Sequence, residues 1–107
     1  MATVASGTQA STIGSEHTLA TQTSSGVYLC YLNTANMVAG DVTIARIYVT
    51  ALSSGTPKII YEAVFAHAQP EPIKASVPVF SDYEIRYRVQ QLEGSSRNYD
   101  WAIATIS

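Results

Sequence analysis

Apolar and polar residues along this chain alternate in short runs with a period of two, and each run is closed by turn-forming residues. After a weakly apolar start, the pattern predicts extended segments at about 17–23 and 27–33, with Ser24-Ser25-Gly26 between them. Val27 to Asn33 carries strand-favouring side chains on both parities, which predicts a strand inside the core. A loop follows through Thr34 to Asp41, in which Met37 and Val38 are expected to turn back into the interior.

The next run, 42–52, places Val42 and Ile44 on one parity and Ile47 and Val49 on the other. The slip predicts a β-bulge near Ala45-Arg46. Ser53 to Pro57 reads as a hairpin connection into a strand over 58–68, with Gly55 free to take a positive φ. Gln69-Pro70-Glu71-Pro72 lacks two amide donors and is expected to cross between sheets. Pro78 marks 73–80 as an edge strand.

The clearest alternation is 82–92, where Tyr83, Ile85, Tyr87 and Val89 oppose Glu84, Arg86, Arg88 and Gln90. A last strand over 99–106 sets Tyr99, Trp101 and Ile103 on one side, which predicts that Trp101 is buried. The expected fold is therefore all-β: a single antiparallel β-sandwich or jelly-roll-like domain over 16–107. Residues 1–15, with only Val4 and Ile13 as larger aliphatic residues, read as a flexible, extended N-terminal arm.

Composition sharpens this picture. A chain of 107 residues supports one core, and 47% hydrophobic residues against only 13% charged leaves Ser, Thr, Ala, Asn and Gln to cover much of the surface. Such a surface loses little side-chain entropy when it is covered, and so suits a protein packed against other subunits. The net charge of −2 and the lack of a Lys/Arg cluster speak against nucleic acid. Arg86 and Arg88, on one face of a strand, are the nearest thing to a patch and are the candidate contacts for an anionic partner. Val4 and Ile13 are the candidate contacts of the arm.

The single cysteine, Cys30, allows neither an internal disulfide nor a cysteine zinc cage. The N-terminal residues lack the basic start and apolar core of a secretory signal, and no run is long enough for a membrane helix, so synthesis in a cytoplasm without membrane insertion is expected. His17 and His67 stand in no metal-ligand or triad spacing, and no glycine-rich phosphate loop occurs, so no enzyme, metal or cofactor is expected. His67 and the turn residues Asp41, Asp82 and Asp100 are read as structural. The seven tyrosines suit contact surfaces as well as a core.

Three stretches carry a resemblance: Gly14 to Thr21, Asn33 to Asp41, and Ala66 to Pro72. The Asn-Met-Val-x-Gly-Asp and His-x-Gln-x-Glu-Pro loops together make the chain look like a group of small proteins encoded among the virion genes of tailed bacteriophages and prophages. The resemblance implies a structural virion component on the capsid surface, a decoration or cement protein. Its implied partners are the major capsid protein and further copies of itself, as a dimer or trimer. A head-to-tail or tail-tip subunit and a carbohydrate-binding module, stacking glycans on Tyr and Trp101, are the alternatives.

Overall fold

A computed structural model describes residues 2–106. It contains nine strands: β1 (Ala2–Ala10), β2 (Glu16–Gln22), β3 (Gly26–Asn33), β4 (Val42–Val49), β5 (Lys58–Ala66), β6 (Ile73–Ala75), β7 (Val79–Ser81), β8 (Ile85–Glu93) and β9 (Asn98–Ile106). Sheet A runs β1-β9-β3-β6, with β7 also on β3, and sheet B runs β2-β8-β4-β5. All pairings are antiparallel. Apart from the steps β4 to β5 and β6 to β7, successive strands pass back and forth between two stacked sheets, the jelly-roll form of the β-sandwich.

The inward side chains follow the period of two. Tyr28, Cys30 and Leu32 of β3, Tyr99 and Ile103 of β9, and Ile85, Tyr87 and Val89 of β8 form the core with Ala45 and Ile47 of β4. Near-complete burial of these large side chains is the main stabilising term. The segment with Pro78 lies at the edge of sheet A as expected, but as two three-residue strands, β6 and β7, and not as one.

Five expectations are corrected. Residues 2–10 are not an arm detached from the sandwich, because β1 pairs along its length with β9. A strand at a sheet edge needs a backbone ladder more than an apolar face, and β1 contributes to the core only through Ala5. In β4 the alternation does not slip at Ala45-Arg46. Thr43, Ala45 and Ile47 all point inward, Thr43 because its hydroxyl meets Tyr99 in the interior. The register shifts lie elsewhere, between Val42 and Thr43 against β8 and between Ile47 and Tyr48 against β5.

Met37 is buried as expected, whereas Val38 is exposed. Tyr83 precedes β8 and is exposed, so the buried face of that strand starts at Ile85. Gly55 is absent from the positive-φ residues, which are Gly14, Gly40, Gly94 and His67.

Candidate functional site: the outer faces of the sandwich

The two outer faces differ in chemistry. Directly opposed residues in an antiparallel ladder share a face, so the register fixes the composition of each. On the outer side of sheet A, Thr8, Asp100, Asn33 and Ile73 lie in one row, and Ser6, Ala102, Tyr31 and Ala75 in the next. Further along come Ala104 with Leu29, and Ile106 with Val27 and Phe80. Asp100 is the one charged side chain in these rows, and Thr8 donates to its Oδ1 at 2.6 Å. Tyr31, Asn33, Ile73, Asp100 and Ala102 line an open cleft of about 210 Å³.

Sheet B presents an ionic outer face. Glu16 of β2 accepts from Arg46 Nη1 at 2.8 Å, from Arg88 Nη1 at 2.9 Å and from the Tyr48 hydroxyl at 3.0 Å. Arg46 also donates to Glu62 and Gln90, and the Arg88 guanidinium lies 4.9 Å from the Tyr48 ring centroid. Partial burial of Glu16 opposes its ionisation, but the hydrogen bonds from Arg88, Arg46 and Tyr48 outweigh it and hold the carboxyl below its ordinary range. Arg86 is paired with Glu84. The two arginines singled out from the sequence are thus on the outer face of one strand, as the alternation requires, but each is paired with a carboxylate, Arg86 with Glu84 and Arg88 with the Glu16 that it shares with Arg46. They present compensated charge.

The other two sequence candidates lie apart from them. Val4 sits at the register shift of β1, and Ile13 in the turn before β2, and both are exposed. The structure does not gather Val4, Ile13, Arg86 and Arg88 into one site. Every large hydrophobic residue that is more than half exposed instead falls between 52 and 80: Leu52, Ile59, Ile60, Val64, Ile73, Val77 and Phe80. They belong to β5, to β6 and β7, and to their connections, the side where both sheets end in strands that come from the middle of the chain. Sequence reasoning missed this clustering because 52–80 reads as ordinary strand-forming sequence until the sheet order makes it an edge.

One end of the sandwich holds a buried polar cluster. The Gln91 side chain is fully buried, its Nε2 donating to the carbonyls of Glu93 and Ser95 and its Oε1 accepting from Ser11 and Tyr99. Beside it, Asp41 Oδ2 accepts from Arg97 Nε at 2.8 Å and from the Val38 amide at 3.0 Å. Burial alone would raise the Asp41 pKa, yet Arg97 and the backbone donors hold it below the ordinary value. Both histidines act as acceptors of backbone amides, His17 Nε2 from Thr12 and His67 Nδ1 from Gly40. Among the described residues no group of three or more His, Cys, Asp or Glu side chains is placed to hold a metal ion.

Cys30 is buried, and desolvation pushes its thiol up to about 12, so it is a packed side chain and not a thiolate at neutral pH. Trp101 is half-buried against the core, with its ring packed on Gly7, where an added Cβ would stand 3.3 Å from the indole. No protein-family model matches the chain, and neither curated proteins nor solved structures provide a match.

Proposed function

We propose that this chain is a structural virion protein of a tailed bacteriophage, a capsid decoration or cement protein that docks on the head and bridges neighbouring subunits of the major capsid protein. The observation that carries this reading is the outer face of sheet A. It is broad, has one charge, and displays Tyr31, Leu29, Ile73, Phe80 and Ile106 among small and uncharged polar residues. A face of this composition can be covered without stripping water from unpaired ions. The resemblance of the loops at 33–41 and 66–72 to phage virion proteins points the same way. The fold alone does not select it, since jelly rolls also serve lectins and cupins.

The test is co-sedimentation of purified protein with empty heads of the phage that encodes it. The expected result is saturable binding at hundreds of copies per head, lost on Phe80→Lys or Tyr31→Lys while the circular dichroism of the variants is unchanged. A handful of copies per particle would favour the head-to-tail or tail-tip role instead. Absence of binding to any particle would refute both. The carbohydrate-binding alternative calls for an open aromatic platform, and it is less well supported because Trp101 is half-buried against Gly7 and the core.

A further inference from the structure

A sandwich with two open sheets has strand edges to protect, and this one protects them unequally. At the edge of sheet A, β6 and β7 are three residues each and are flanked by prolines. At the other edge, β1 is interrupted by a register shift between Thr3 and Ala5. On sheet B, β2 has a shift between Thr18 and Ala20 and carries Glu16. β5 also has an irregularity, at Ile60, but from Tyr61 to Ala66 its ladder with β4 is continuous and free of proline. Val64 stands 58% exposed in the middle of that stretch.

One hydrogen bond fixes which backbone groups of β5 are unused. The His67 amide donates to the Asp41 carbonyl at 2.8 Å, in line with the register that pairs Ala66 with Val42. Bonded and non-bonded pairs alternate along an antiparallel ladder. Phe65 and Ala63 therefore bond to β4, whereas Glu62, Val64 and Ala66 turn their amides and carbonyls toward the free edge, where the Ala66 carbonyl accepts from Gln69 Nε2 at 2.7 Å and keeps a second lone pair for a partner strand.

This phase and the side-chain charges together select a partner. Two copies pairing β5 to β5 about a two-fold axis can place it on any residue from Glu62 to Ala66, but an axis on Ala63 or Phe65 runs the pairing into the irregular Ile60 or into His67 and closes only about four hydrogen bonds. An axis at Glu62 sets two carboxylates against each other. At Ala66 it runs the pairing into His67, whose φ of 65° leaves the extended conformation. At Val64 it sets Glu62 opposite Ala66 on both sides, closes about six backbone hydrogen bonds, and joins the exposed Val64 side chains over Ile44. Glu62 is already held by Arg46 at 2.6 Å, so no unpaired charge enters the contact.

We propose that a second copy of this chain docks on β5 in antiparallel register about a two-fold axis at Val64, merging the two copies of sheet B into one continuous sheet. The contact leaves the outer face of sheet A free and does not rest on the capsid reading.

The test uses the full chain alone, without capsids. Light scattering after size exclusion is expected to give twice the chain mass. Amide exchange of the wild type is expected to show Glu62, Val64 and Ala66 protected together with Ala63 and Phe65. Val64→Lys is expected to halve the mass and to release the first three amides while leaving Ala63 and Phe65 protected. Ala66→Pro removes an amide that bonds nothing within the chain, and it should also give a monomer with an unchanged fold. A monomeric wild type, free exchange at Glu62, Val64 and Ala66, or a dimer that survives both substitutions would each overturn the proposal.

Discussion

The amide of Gly40 donates to Nδ1 of His67 at 2.9 Å, and the His67 amide in turn donates to the carbonyl of Asp41 at 2.8 Å. Farther along the same two loops, Pro72 accepts at its carbonyl from both the amide and the hydroxyl of Thr34. The Asn-Met-Val-x-Gly-Asp and His-x-Gln-x-Glu-Pro segments are thus one structural unit, clamped at both ends. Each loop is therefore held in place by hydrogen bonds from the other.

His67 sits at a positive φ, which costs a branched-ring side chain energy that its acceptor nitrogen offsets. His67→Ala, which keeps the strain and loses the acceptor, is expected to cost about 1–2 kcal/mol in urea unfolding. His67→Gly should cost less, because it relieves the backbone, and His67→Asn, which tolerates this conformation, should also fall below alanine. Equal losses for all three would show that the imidazole contact contributes nothing.

Gly94 has φ 97°, and a Cβ there would stand 1.9 Å from Asp41 Oδ1. Gly94→Ala is expected to destabilise by more than about 3 kcal/mol, since it combines backbone strain with displacement of a buried carboxylate. Gly14 also has a positive φ but open space around it, so Gly14→Ala should cost only about 1 kcal/mol. Thermal unfolding of the two variants in parallel reads the difference.

Gln91 is the hub of the polar cluster, and Gln91→Leu would leave Tyr99, Ser11 and two carbonyls without their partner. The expected loss is about 2–4 kcal/mol. Tyr99→Phe should cost less, about 1 kcal/mol, because Gln91 keeps Ser11 and two carbonyls and only the Thr43 hydroxyl loses its partner. A double variant should be less damaging than the sum of the two single ones.

Acid should weaken the fold through two carboxyls. Asp41 and Glu16 hold their protons less readily in the folded chain than their ordinary values of 3.8 and 4.5. Their stabilisation is therefore complete above those values and is lost as pH falls through the lower folded ones. The melting temperature should be flat from pH 7 to about 5 and then fall. Asp41→Asn should start lower at neutral pH and fall less steeply below pH 4.5.

A thiol reagent should leave Cys30 unmodified in the native protein at pH 8 and react fully after denaturation, because burial and a pKa raised to about 12 both suppress the thiolate. Rapid modification under native conditions would mean that β3 opens at the side lined by Phe65 and Lys74.

The strands of β3 and β8 were legible from the sequence because a half-buried strand writes its burial as a period of two, and Ile85, Tyr87 and Val89 obey it. Pro78 foretold an edge for the same local reason: a missing amide cannot be supplied by context. β4 was misread at Ala45-Arg46 because Thr43 is polar yet points inward, and only Tyr99, far away in sequence, makes that burial favourable. Arg86 and Arg88 were placed on the correct face, but their neutralisation by Glu84 and Glu16 depends on strand pairing that no local pattern encodes.

Periodicity, propensity and turn chemistry are local, and by themselves they determined that this chain is a sandwich of short antiparallel strands with a Tyr- and Ile-rich interior. The order of those strands was decided by tertiary structure, and with it which segments became edges. It turned residues 2–10 from part of an expected arm into a sheet edge, gave sheet A an exterior with Asp100 as its one charged side chain and sheet B an ionic one, and left Val64 on an open ladder. Each of these depends on which distant strand supplies hydrogen-bond partners and cover, a choice made by the whole chain at once.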